Sequence, residues 1–197
     1  MESNDQMHCE KCRREIHHGY ESVNLAESKG SLYRLLCLEC FNREMAADIG
    51  NDFQYPQFSP KKFTDAQGKK HLFRFATRFV DTDRVSIEAY EEDVDHGYRF
   101  QVLGKIEKVQ QLFHKLLGRM QRALTWKHLI EEYGRLGVAD ERTVRGRFEW
   151  DEEMNGELPL LVIDGQAVAW DDFGRMLSSY EGWQFKLRIL DPSDEPA

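Results

Sequence analysis

His8-Cys-Glu-Lys-Cys12 and Leu36-Cys-Leu-Glu-Cys-Phe41 hold all four cysteines of the chain, Cys9, Cys12, Cys37 and Cys40, as two Cys-x-x-Cys turns 24 residues apart. One such turn lets two thiolates converge on an ion, and two turns complete a closed tetrahedron. The pattern therefore predicts one structural zinc ion. Disulfides suit an oxidising compartment, and the first residues, Met1 to Lys11, contain no apolar stretch that could act as an export signal. A thioredoxin-like redox pair would need a strand-to-helix junction inside a βαβ pattern, which neither pair has. His8, His17 and His18 stand close enough in sequence that each could replace a thiolate.

The residues around the cysteines frame the site. Tyr20 to Leu25 and Ser31 to Leu36 read as two short strands joined through Ser28-Lys29-Gly30, and Phe41 to Ile49 reads as a helix closed by Gly50. A knuckle, a hairpin and a second knuckle opening a helix make a treble-clef-like arrangement, with a plain zinc ribbon as the alternative. Four thiolates around a dication leave a formal charge near minus two, so Lys11, Arg13, Arg14 and Arg43 have a local partner. A structural zinc site contributes on the order of 10 kcal/mol, while a unit of about 50 residues has little core of its own. Residues 1–50 are expected to depend on the metal for folding.

Length and composition bound the remainder. The chain has 197 residues, 41% hydrophobic and 12% aromatic, with a formal charge of -8, which describes a soluble globular protein. No apolar run approaches the roughly 20 residues of a membrane span. Asn51 to Lys62 carries two prolines among polar residues and interrupts the periodicity. Residues 51–70 are read as a linker, and Phe53, Tyr55 and Phe58 imply that it is docked.

Residues 71–197 read as an α+β domain with an antiparallel sheet, one long helix and one short helix. Phe73, Phe75 and Phe79 alternate with polar or small residues, Val85, Ile87 and Ala89 repeat the pattern, and Tyr98, Phe100 and Val102 make a third strand after an acidic loop. Short links favour a meander. Ile106, Val109, Leu112, Phe113, Leu116, Leu117, Met120 and Leu124 recur at helical spacing and would cover the apolar face of that sheet. The chain turns near Gly134 and Gly137. Val144 to Trp150, Leu158 to Ile163 and Gln166 to Val168 then read as strands, the last two joined by the hairpin dipeptide Asp164-Gly165. Trp170 to Tyr180 reads as a helix, and Trp183 to Ile189 alternates as a strand.

The combination of the cysteine-pair module with Pro159-Leu-Leu-Val-Ile-Asp-Gly165, Trp170-Asp-Asp-Phe-Gly-Arg-Met-Leu177 and Tyr180-Glu-Gly-Trp-Gln-Phe-Lys-Leu187 resembles an uncharacterised bacterial family. The likeness runs from Cys9 to Ile189 and is most specific over Leu158 to Leu187. It implies a bacterial, cytoplasmic setting and a two-part architecture, and it brings no assigned activity or catalytic residue.

Charge is unevenly distributed. Residues 105–147 hold ten Lys and Arg against five Asp and Glu, and residues 148–197 hold three against twelve. On the long helix, Lys105, Lys108, Lys115, Arg119 and Arg122 fall along one stripe, which could follow a phosphate backbone or face the acidic C-terminal segment. Catalytic signals are weak. Asp164 belongs to a turn, Asp171 and Asp172 suit a helix start, and His71, His96, His114 and His128 lack metal-ligand spacing. Trp150, Trp170 and Trp183 read as core residues. The pattern as a whole points to a non-enzymatic structural-zinc protein that meets a protein partner as an adaptor or regulator, and the family resemblance implies the bacterial cytoplasm as its setting. A nucleic-acid-binding protein using the stripe on 105–124 is the alternative, and a hydrolase-like enzyme is a second.

Overall fold

Apolar residues at every second position build most of the strands. The computed structural model describes residues 7–16, 21–26, 33–50 and 56–194, and the protein is α+β. Met7–His8 (β1) pairs antiparallel with Glu15–Ile16 (β2), and Ser22–Ala26 (β3) pairs antiparallel with Tyr33–Cys37 (β4), which runs directly into the helix Leu38–Asp48 (α1). Lys61–Thr64 (β5), Lys70–Phe79 (β6), Arg84–Glu91 (β7) and Arg99–Lys105 (β8) form a four-stranded sheet in chain order. A 3-10 turn at Ile106–Lys108 leads into Val109–Leu124 (α2). Leu129–Glu132 (β9) and Arg135–Val138 (β10) form a hairpin. Gly146–Trp150 (β11), Pro159–Ile163 (β12) and Gln166–Val168 (β13) form a three-stranded antiparallel sheet, followed by Trp170–Leu177 (α3) and a 3-10 turn at Ser178–Tyr180.

The chain divides into two compact units. One comprises Met1–Ser59, Phe75–Glu88 and Gln101–His114, the other Pro60–Arg74, Ala89–Phe100 and Lys115–Ala197. In the first, Cys9, Ile16, Leu36, Cys37, Cys40, Phe41, Ala46, Phe79 and Val85 form one buried cluster, with Ile106, Val109 and Leu112 packed against it. Phe113 stacks on Phe58 at a centroid distance of 3.7 Å and meets Phe75 edge-on at 4.9 Å. Phe113 is buried and Phe58 and Phe75 are half-buried, so this ring packing takes aromatic surface out of water. In the second unit, Leu129, Leu161, Ile163, Val168 and Met176 form a separate cluster.

Turn chemistry fixes the hairpins. Asp164 and Gly165 have φ of +53° and +72°, as a primed two-residue turn requires, and a Cβ at Gly165 would lie 2.7 Å from the Tyr98 ring. Tyr133 and Gly134 repeat the device between β9 and β10, with φ of +52° and +73°.

Three features depart from the sequence reading. Residues 183–189 were expected to form a strand, but no strand is present there, and Trp183, Phe185, Leu187 and Ile189 are exposed. Alternation shows that a segment suits a sheet, while pairing also needs a free edge within reach. Lys61–Thr64 is a strand within the stretch read as linker, pairing with β6 from Lys61↔Phe73 to Thr64↔Lys70. The β9–β10 hairpin was missed because the turn is Tyr-Gly and lacks the Asn or Asp that usually marks it. The proposed turn at Ser28 to Gly30, the strand ends at Tyr20 and at Ser31-Leu32, and the docking residues Phe53 and Tyr55 lie outside the described residues.

Candidate metal centre

Two local devices bring the four thiols together. The first pair sits in the β1–β2 hairpin, where the Cys9 N–H donates to the Arg14 carbonyl at 2.9 Å and the Arg13 N–H donates to the Cys9 carbonyl at 2.8 Å. Arg13 has φ of +62°, which turns the chain back after Cys12. This turn is latched to β4, since the Glu10 N–H donates to the Leu35 carbonyl at 2.9 Å and Glu10 Oε1 accepts from the Leu35 N–H at 2.8 Å. The second pair opens α1, with Cys37 at the N-cap and Cys40 in the first turn. A helix start presents unpaired N–H groups and a positive dipole end, which favour thiolates.

The sulfurs of Cys9, Cys12, Cys37 and Cys40 all lie within 4.8 Å of one another, with three of the residues buried and Cys12 exposed. Cys12 Sγ and Cys37 Sγ are 3.7 Å apart. A tetrahedron with metal–sulfur arms of about 2.3 Å has edges of about 3.8 Å. That separation is far beyond a disulfide bond of about 2.05 Å, and all four cysteines are free thiols. The donor set fits zinc: four sulfur donors and a closed shell that leaves no position for water or substrate.

Electrostatics favour the ionised form at one corner and the protonated form at another. Burial alone would raise the Cys9 thiol, but the backbone groups of Cys37, Cys12 and Lys11 that hydrogen-bond it bring it down to about 6. Burial raises Cys40, and the neighbouring thiols of Cys12, Cys37 and Cys9 raise it further. Burial also raises Cys37. A dication placed among them would drive the protons off the raised thiols. Lys11 and Arg34 pair with Glu44 at 2.8 and 3.0 Å, while Arg14 and Arg43 pair with Glu39 at 2.9 Å each. Lys11, Arg14, Arg34 and Arg43 therefore have carboxylate partners of their own. His8 lies in β1 and is exposed, and His17 and His18 lie outside the described residues.

The other residues singled out in the sequence fall elsewhere. In the first unit, Lys105 lies 3.9 Å from the Asp83 carboxylate and Lys108 is exposed. In the second, Lys115 and Arg122 are exposed, whereas Arg119 is buried. Asp164 Oδ2 accepts from the N–H groups of His128 at 2.7 Å and Leu129 at 2.9 Å, so this carboxylate fastens the start of β9. Asp171 and Asp172 occupy the first turn of α3, and Arg175 pairs with Asp172. His114 is exposed and bonds the Gln110 carbonyl at 2.7 Å, and His128 bonds the Thr143 carbonyl at 2.7 Å. Trp150, Trp170 and Trp183, read as core, are 66%, 40% and 58% exposed. Trp150 stands on an edge strand, Trp170 opens α3 with its ring 6.4 Å from that of Phe173, and Trp183 meets Tyr180 edge-on at 5.6 Å and carries the Arg142 guanidinium over its ring at 4.8 Å.

A second cluster escaped the sequence reading. His71 is buried between two carboxylates, with Nδ1 2.6 Å from Glu91 Oε1 and Nε2 3.2 Å from Asp65 Oδ2. Lys127 Nζ lies 3.5 Å from Asp65 Oδ2, and Glu91 Oε2 accepts from the Tyr98 N–H at 3.1 Å. Burial would raise Asp65, but the His71 ring, the backbone N–H groups of Lys69 and Gln67, and Lys127 hold it at about 2. Burial, then the negative charges of Asp164, Asp65 and Glu91, push the Tyr98 hydroxyl upward. Both ring nitrogens of His71 face carboxylates, and Lys127 lies beside one of them, in a buried hydrogen-bonded network. The signal was present in the alternation, which sets His71 on the same buried face as Phe73.

Three domain models match successive parts of the chain: Domain of unknown function (DUF7685) over residues 8–51, Domain of unknown function (DUF7686) over 54–125 and Domain of unknown function (DUF7713) over 128–194. No curated protein and no solved structure matches. No helix among the described residues is long and apolar enough to cross a membrane.

Proposed function

We propose that this protein binds one structural zinc ion through Cys9, Cys12, Cys37 and Cys40, in a treble-clef-type module, and serves as a non-enzymatic adaptor for a protein partner in the bacterial cytoplasm. The observation that carries the metal reading is the convergence of four sulfurs within 4.8 Å, with a Cys12–Cys37 separation of 3.7 Å. Four thiolates satisfy a tetrahedral ion completely, so its role is to hold structure. In this reading residues 1–50 carry the metal site, and Lys61–Thr64, in the stretch read as linker, belongs to the sheet that follows. The adaptor role is supported by large apolar side chains standing in solvent in the unit that carries the cysteines, Tyr33 at 67% and Met7 at 43%. Exposed aromatic side chains of this size favour association with another surface.

The test is affinity capture with the metal-loaded chain beside a Cys37→Ala variant. The variant is expected to release zinc and lose the partner while the second compact unit, with its separate core of Leu129, Leu161, Ile163, Val168 and Met176, keeps its far-UV circular dichroism. Undiminished capture by Cys37→Ala would contradict the adaptor role of the metal module, and zinc retention by that variant would contradict the ligand set.

A further inference from the structure

In the second unit, Trp183, Phe185, Leu187 and Ile189 alternate with Gln184, Lys186 and Arg188, and the four apolar residues are 58%, 92%, 69% and 71% exposed. This is the pattern of a strand with one apolar face, yet no strand forms here. The same unit contains a sheet edge with a matching pattern. β11 is an outer strand of the β11-β12-β13 sheet, and its Phe148 and Trp150 are 51% and 66% exposed, while Arg147 and Glu149, which alternate with them, are half-buried. Two other edges suit an added strand less well. β13 has only three residues, and β5 opens with Lys61 and Lys62, cations of the kind that discourage strand addition.

We propose that residues 183–190 of one copy add as a fourth strand to the β11 edge of a second copy, and that the exchange is reciprocal, giving a two-fold dimer. Phe185 and Leu187 then share a face with Phe148 and Trp150. Area favours this occupant. The four apolar side chains offer roughly 500 Å² per copy, so reciprocal exchange removes on the order of 1,000 Å² or more from water, the size at which a specific interface holds. Charge favours it as well. Lys186 and Arg188 give the segment two cations, and the turn that follows β11 presents Glu152, Glu153 and Glu157 to solvent. Within one chain the segment leaves the outer edge of β11 unpaired, and a reciprocal two-fold exchange pairs that edge in both copies and closes at two chains. The inference concerns the second unit and does not rest on the metal reading.

The test uses the full metal-loaded chain. Sedimentation at tens of micromolar is expected to give the mass of a dimer. Phe185→Asp, which removes the central apolar contact, and Lys186→Pro, which removes a ladder donor, are each expected to weaken the dimer at least tenfold. Both positions are exposed, so thermal melts taken at concentrations where the parent is monomeric should match the parent. When Phe148→Cys and Phe185→Cys single variants are mixed under mild oxidation, a disulfide is expected to join the two different chains. A monomer throughout the concentration range, a dimer indifferent to both tail substitutions, or a Phe148→Cys/Phe185→Cys double variant that closes within one chain would each overturn the proposal.

Discussion

The side-chain carbonyl of Asn42 in α1 accepts the backbone N–H of Phe79 in β6 at 2.9 Å, and the same carboxamide donates to the Thr77 carbonyl at 2.8 Å. Asn42 is 1% exposed, so both bonds are buried. The helix that carries Cys40 is thereby fastened to strand residues 77 and 79 of the same unit. Asn42→Ala is expected to lower the unfolding free energy by about 2–3 kcal/mol in urea titrations, since two buried hydrogen bonds are lost without a replacement. A change under about 0.5 kcal/mol would show that the clamp is not used.

The Asp65 carboxyl gives the second unit a defined acid sensitivity. Its value is about 2 in the folded protein against an ordinary 3.8. A carboxyl lowered by folding contributes stability that is fully present above its unfolded value and is lost as pH falls through its folded value. The window therefore runs from about pH 4 down to about pH 2, and the contribution is about 2 kcal/mol. Urea titrations across that range are expected to show the loss, and Asp65→Asn should remove this part of the slope. An unchanged slope in the variant would rule out the buried His71–Asp65 pair as its source.

Asp164 is expected to act in the fold and not in chemistry. Asp164→Ala frees the N–H groups of His128 and Leu129 and should cost roughly 2 kcal/mol, read by thermal melting. Asp164→Asn keeps an acceptor oxygen and should recover most of that loss. If both variants melted like the parent, the carboxylate would have no such role.

Much of this architecture could be read from residue order because it is governed by local rules. The Cys-x-x-Cys spacing marks the thiol cluster, the 2.0 and 3.6 periods mark β6, β7, β8 and α2, and Asp164-Gly165 marks its hairpin. What stayed hidden depends on contacts between distant segments. Nothing near Asn42 in sequence shows that its carboxamide meets a strand 35 or more positions later. His71 gains its meaning from Asp65 and Glu91, which only the pairing of neighbouring strands brings to it. Arg119 lies in line with Lys115 and Arg122 along the helix, but burial takes it out of the exposed stripe. The perfect alternation of residues 183–189 promised a strand, and pairing failed because alternation encodes a face and not a partner.

The central claim is that the four sulfurs share one ion. Elemental analysis of gently purified full-length protein, paired with mass spectrometry of its thiols, tests it directly. About one zinc per chain is expected, falling to none in Cys40→Ser, with Cys9, Cys12, Cys37 and Cys40 all reduced once the metal is chelated. Protein that holds no metal, or whose cysteines are joined as disulfides when isolated, would contradict it.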